Sequence, residues 1–309
     1  MRTFIAVTIL ALAAIAARIV TAEESDLVVV KKPFAHHMDR GGSNGSVPQI
    51  LYHGGPVLLG TVPLYVIYYG NFGTPATANT QSIVNDFLGG LDGSDQYGVN
   101  TTYCEASTTA CSNGLNPVSG RLQFSAANVF YDTGSQGTQI NSGGVIRILQ
   151  YAFQHGLSVA DGAVYFVITA PDVKVAGFCT SFCAYHSRST GILAGHTIRY
   201  ALVPDPSQKC TACDGNFALG DTATPNGDAG ADEMVDSIFH ELSETVTDPD
   251  LNAWYTSNGA ENGDLCNYNY GTTDIQDGIH YNATLNGKNY LIQLIWKNGP
   301  VPQSCAAQP

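Results

Sequence analysis

The stretch 228–248 constrains this chain more than any other. Met234, Val235, Ile238, Phe239, Leu242, Thr245 and Val246 recur at close to 3.6-residue spacing, which lays one apolar stripe along a helix. Asp228 or Gly230 opens it. Asp232 and Glu233 suit its first turn, where negative charge meets the positive end of the helix dipole, and Pro249 stops it. The opposite side carries His240-Glu241-Leu242-Ser243-Glu244. His240 and Glu244 stand four apart, so a helix puts them on one face. Imidazole nitrogen and carboxylate oxygen are both zinc ligands. Glu241 occupies the position at which H-E-x-x-H zinc hydrolases hold their general base, with Glu244 here replacing the second histidine.

The same stretch holds Glu233, Asp236, Glu241 and Glu244 and no lysine or arginine. Carboxylates at such spacing repel one another unless a proton or a cation relieves them. A solvated acidic face is the plain reading. A polar face that floors a cleft over a metal is the sharper one, and the missing counter-cations favour it. A third ligand is then required. Glu261 and Asp264 follow a turn and can fold back; Asp248, His186 and His196 are further candidates. An Asp before Pro249 is ordinarily a turn or cap residue, and a histidine beside two cysteines is ordinarily a packed core residue; for every one of these candidates a structural role is the stronger reading.

Residues 1–22 read as a secretory signal peptide: Arg2 gives the positive start, 4–17 the apolar core, and Val20-Thr21-Ala22 the small-residue cleavage site. That core is too short to span a membrane. Residues 23–50, with Lys31-Lys32, His36-His37 and a Gly/Ser/Asn run, read as a linker or short pro-region, and 51–309 as a single domain. The whole chain carries 13 basic and 26 acidic residues, a formal charge of −13. Nucleic acid and anionic membrane are poor partners for such a surface.

Eight cysteines in an exported chain point to disulfides. Proximity favours Cys104 with Cys111, and Cys266 with Cys305 would staple the C-terminal tail. Cys179, Cys183, Cys210 and Cys213 either pair across the two clusters or form a C-x3-C…C-x2-C zinc set. Sequons at Asn44, Asn100 and Asn282 would place each asparagine on the surface.

Hydrophobic patterning gives a bent or edge strand over 57–69, because Pro63 lies inside it. It gives helices over 79–91, broken at Gly89-Gly90, and over 144–155, and strands over 122–131, 163–169, 195–203 and 289–297. That order predicts an α+β fold, a mixed sheet with packed helices, of zincin-like (metzincin-type) architecture with a disulfide-rich C-terminal part and the motif helix packed beneath the sheet.

Several blocks carry a resemblance: Tyr52-His53-Gly54-Gly55-Pro56-Val57-Leu58, Tyr68-Tyr69-Gly70-Asn71-Phe72, Phe182-Cys183-Ala184-Tyr185-His186, Pro225-Asn226-Gly227-Asp228, His240-Glu241-Leu242-Ser243-Glu244, Asn252-Ala253-Trp254-Tyr255 and Asp264-Leu265-Cys266. Together they resemble the Exordium / phosphate-induced protein 1 family over about residues 51–305. The resemblance implies an extracellular protein of the cell wall or apoplast, linked in plants to growth and cell expansion, and brings no settled enzymatic activity. The family's Glu-x-x-Asp-x-Cys block falls on Glu261, Asp264 and Cys266, so the resemblance puts Glu261 and Asp264 ahead as the third ligand.

Two functional classes follow. In the first, zinc held by His240 and Glu244, with Glu261 or Asp264, serves a peptidase-like hydrolase whose general base is Glu241. In the second, the domain is a non-catalytic extracellular module whose aromatic residues bind a cell-wall glycan, a receptor or another extracellular protein or peptide.

Overall fold

The computed structural model describes residues 49–105, 111, 116–208, 210–299 and 303–309. The signal-peptide and linker readings, the His36-His37 pair and the Asn44 sequon lie outside them.

A six-stranded mixed sheet forms the centre. In chain order its strands are β1 (Val62–Tyr69), β2 (Leu122–Gln123), β3 (Val129–Asp132), β4 (Val164–Thr169), β5 (Tyr185–Ser189) and β6 (Ile198–Pro204). Across the sheet the order is β5-β6-β4-β1, with β2 and β3 both on the far side of β1. β1, β4 and β6 run parallel, and β5 is the antiparallel edge.

Both faces of the sheet are covered, and the strands show it in their composition. Along β1, Leu64, Val66 and Tyr68 pack on one side while Tyr65, Ile67 and Tyr69 pack on the other. In β4, Val164, Phe166 and Ile168 alternate in the same way with Tyr165 and Val167. Strands buried on both faces read as continuous apolar runs rather than alternating ones. Helix α1 (Thr80–Gly90) and helix α3 (Ala229–Thr247) cover the first face. Helix α2 (Ser142–Gln154) covers the second through Val145, Ile148, Leu149 and Ala152.

Pro63 does not make β1 an edge. Its pairing partner is Gln123 of the short β2, and the ladder to β4 begins one residue later, at Leu64 with Val164. The ring therefore costs the central ladder no donor. The stretch 122–131 is two short strands separated by a 3-10 turn at Ala126–Asn128. The stretch 289–297 is likewise divided, into the end of a hairpin, β7 (Ala283–Leu285) with β8 (Lys288–Tyr290), and β9 (Ile295–Lys297), which pairs with β10 (Ser304–Ala306).

The surface expectation is corrected for the Asn100 sequon, while Asn282 is half-buried. Asn100 is buried, and its side-chain nitrogen donates to Ser243 Oγ at 3.1 Å. The Asn282 side-chain nitrogen donates to the Tyr270 and Ile292 carbonyls at 2.8 and 2.7 Å. The atoms that would carry a glycan are thus spent inside the fold.

The four disulfides are Cys104–Cys111, Cys179–Cys210, Cys183–Cys213 and Cys266–Cys305. The four clustered cysteines are therefore cross-paired rather than a zinc set. Among the described residues no helix is long and apolar enough to cross a membrane.

Gly89-Gly90 does not break helix α1, which continues to Gly90, where the missing side chain leaves room for the β7–β8 hairpin. A Cβ on Gly90 would lie 2.8 Å from Leu285 Cβ, whereas one on Gly89 would meet only Asn286 Nδ2, at 3.5 Å. In urea unfolding, Gly90→Ala should lose about 1–3 kcal/mol by overpacking. Gly89→Ala should gain up to about 1 kcal/mol from helix propensity.

Candidate metal centre

The helix that bears the motif is anchored before it reaches the site. Asp228 caps its first turn: one carboxylate oxygen accepts from the Ala231 amide at 3.1 Å, and the other accepts from Thr80 Oγ1 at 2.7 Å, tying α3 to α1. The helix packs against β6, β5 and β4. It offers no solvated face, since every residue from Gly230 to Thr247 is buried. The face expected to floor an open cleft is instead covered by the segment 261–266 and by Gln293.

His240 Nε2 lies 2.9 Å from Glu244 Oε1 and 3.7 Å from Asp264 Oδ1. On the other side of its ring, His240 Nδ1 is 2.9 Å from Gln293 Oε1. The orientation of that amide is set by its own nitrogen, which donates to the Gly263 carbonyl at 2.7 Å. Gln293 therefore presents its oxygen, and Nδ1 must carry the imidazole proton. In the neutral ring the Nε2 lone pair then faces two carboxylates. Acceptors so placed need a proton or a cation between them. A ring nitrogen that donates to a neighbour while its partner nitrogen faces carboxylates is the usual arrangement of a metal-binding histidine.

The spacing agrees. Ligand atoms about 2.0–2.1 Å from a tetrahedral zinc stand about 3.3 Å from one another, and the separations here are 2.9 and 3.7 Å. Glu241 also offers a carboxylate oxygen to this group; atoms of His240, Glu241 and Glu244 lie within 4.8 Å of one another.

A second histidine enters from the sheet. His186, on the edge strand β5 opposite Ala201, places Nε2 3.0 Å from Glu261 Oε2 and 3.6 Å from Glu244 Oε2. The Glu244 carboxylate thus stands between two imidazoles. Burial, with Asp248, Asp264 and Glu241 as negative neighbours, holds the Glu261 carboxyl well above the usual carboxylate range. Asp248 is also raised by burial, against the pull of the Ala253 and Asn252 amides and of His186. Its Oδ1 accepts from both amides at 2.6 Å, so it closes the turn after α3.

The segment 261–266 is fixed from several sides. Glu244 Oε1 accepts from the Asp264 amide at 3.1 Å, and Asp264 Oδ2 accepts from the Glu261 amide at 3.1 Å. Asn262 bonds to Asn100, which bonds to Ser243 of α3, and Cys266 is joined to Cys305. Gly263 permits the approach. A Cβ there would lie 2.9 Å from Glu244 Oε1 and 3.0 Å from His240 Nδ1. Gln293 is held by α3 itself, its amide donating to Asp236 Oδ1 at 2.7 Å.

The structure thus brings together His240, Glu241, Glu244, Glu261, Asp264 and the further candidate His186, and adds Gln293. His196 is elsewhere, paired with the exposed Asp161 at 3.4 Å. Nothing local in the sequence marks Gln293, because a fifty-residue excursion delivers it. His186 is marked only by its place beside Cys183 in a block of polar strand residues.

The family model for the phosphate-induced protein 1 conserved region matches residues 50–308. Protein EXORDIUM-like 3 of Arabidopsis thaliana is 29% identical over 285 residues, covering 84% of this chain and 82% of that protein. Protein EXORDIUM-like 5 of the same plant is 30% identical over 287 residues, covering 83% and 77%. Protein PHOSPHATE-INDUCED 1 of Nicotiana tabacum is 25% identical over 284 residues, covering 82% and 87%. No solved structure matches this chain. On the span of that match, the chain belongs to the phosphate-induced protein 1 family, whose members include the Exordium-like proteins.

Proposed function

We propose that this protein is an extracellular, cell-wall-facing binding module whose core is clamped by a buried zinc ion, rather than a working hydrolase. Its disulfides and its family suit an extracellular setting. The observation that carries the reading is burial. His240, Glu241 and Glu244 are 0, 1 and 3% exposed. A general base must reach the proton it removes, directly or through one water, and Glu241 is sealed beneath the sheet. Zinc would be held by His240 and Glu244 with Asp264 beside them, where its charge offsets the crowded carboxylates. It would then lock the segment 261–266 onto α3, as structural zinc sites do.

The binding surface is sought at the carboxyl ends of the parallel strands, where open α/β sheets place their ligand crevices. There Tyr131, 58% exposed at the end of β3, stacks on Tyr68 of β1 with ring centres 5.8 Å apart and planes 18° apart. Phe72 meets Tyr68 edge-on at 5.2 Å. An exposed ring backed by fixed rings is a stacking platform suited to a sugar face. One observation keeps the hydrolase as a second reading: the Glu241 carboxylate stands among the ligand atoms rather than apart from them.

Three outcomes test this account. A chelator that strips zinc from the secreted protein, and His240→Ala, should each lower the melting temperature by about 5 °C or more, given that a bound ligand contributes about 3 kcal/mol at a hundredfold excess over Kd. Glu241→Gln should leave binding of wall polysaccharide unchanged; a peptidase activity in the native protein that this variant abolishes would establish the hydrolase instead. Tyr131→Ala should weaken retention on an insoluble wall glycan by about threefold to tenfold, the worth of one aromatic stacking contact, with no change in melting temperature.

A further inference from the structure

The His186 side of the cluster has the composition of a cation site in its own right. Three separate elements meet there: the edge strand β5 supplies His186, helix α3 supplies Glu244, and the segment before Cys266 supplies Glu261. Their donor atoms lie within 4.8 Å of one another. His186 Nε2 stands 3.0 Å from Glu261 Oε2 and 3.6 Å from Glu244 Oε2. Those separations bracket the roughly 3.3 Å expected between ligands that share one tetrahedral zinc. All three residues are 3% exposed or less.

One further fact bears on what lies among these atoms. Glu261 Oε1 is buried with no hydrogen-bond partner among the described residues. Buried polar atoms left in this way are costly unless an ion or a water completes them.

Glu244 links the two halves. Its Oε1 is turned to His240 and its Oε2 to His186. One carboxylate with an imidazole beyond each oxygen is the arrangement that bridges two metal ions.

We propose that the protein holds two divalent cations, one on the His240 side and a second on His186 and Glu261, with Glu244 bridging them; this rests on the reading that the His240 side binds zinc. The His186 position ties the sheet edge to the C-terminal segment, whereas the His240 position ties that segment to the helix.

The test is metal content by mass spectrometry on protein secreted into zinc-supplemented medium and dialysed, with circular dichroism as the check on folding. The native protein should carry two zinc ions per chain. His186→Ala and Glu261→Gln should each carry one, His240→Ala one, and Glu244→Ala none. Glu261→Gln is nearly isosteric and serves if His186→Ala does not fold. One zinc in the native protein, retained in both Glu261→Gln and His186→Ala and lost in His240→Ala, would overturn the second position and leave the His240 site standing. One zinc lost in Glu261→Gln but kept in His240→Ala would overturn the paired site and the His240 reading together. A native protein with no zinc would overturn both.

Discussion

The Glu244 carboxylate, held between two buried imidazoles, is the constraint on which the rest of the structure depends. Moving a carboxylate out of water costs several kcal/mol even after the protein relaxes around it. Here five acidic side chains gather at the meeting of α3, β5 and the segment 261–266, with Glu241, Glu244, Glu261 and Asp248 all buried. Two histidines are their partners in the ion pairs seen at the site. Hydrophobic packing alone would expel such a group. At the junction of three elements, such a group is relieved by protons on its carboxyls or by a cation among them. The hydrogen bonding of His240 Nδ1, set by Gln293 and the Gly263 carbonyl, leaves Nε2 facing the carboxylates, where either a metal ion or a proton can sit.

The scaffold serves that junction. The sheet buries both faces, so β5 at its edge is held rigidly by its pairing to β6 and delivers His186 to a fixed position. The Cys179–Cys210 and Cys183–Cys213 bridges fix the approach to that strand, and Cys266–Cys305 fixes the segment that carries Glu261 and Asp264. The buried chain Ser243–Asn100–Asn262 joins α3 to the same segment through side-chain amides. Each of these devices reduces the freedom of a ligand-bearing element before any ion binds, which is how a site is preorganised.

The sequence discloses those parts that local pattern controls. The span 228–248 is legible because its apolar stripe, its Asp228 cap and Pro249 all agree, and the helix runs Ala229–Thr247. His240 and Glu244 meet because i,i+4 geometry is a property of the helix itself. What distant contacts decide is not legible. Tyr185–Ser189 carries histidine, arginine and two serines, so nothing in its pattern announces a strand, and only the ladder to β6 makes it one. Pro63 suggests an edge, yet β1 is central, because the ladder to β4 starts just beyond the ring. Asn100 and Asn282 read as glycan acceptors from three residues each, while their amides are committed to partners over a hundred residues away and across a turn. Gln293 and Gly263 complete the His240 environment through spacing that no local motif encodes.

The most direct measurement is a crystal of the secreted protein with diffraction collected on both sides of the zinc absorption edge. The account predicts an anomalous peak within coordination distance of His240 Nε2 and Glu244 Oε1, with Nδ1 of that histidine still bonded to Gln293. An ordered site with no anomalous peak, in which His240 bonds Glu244 directly through a proton, would contradict it.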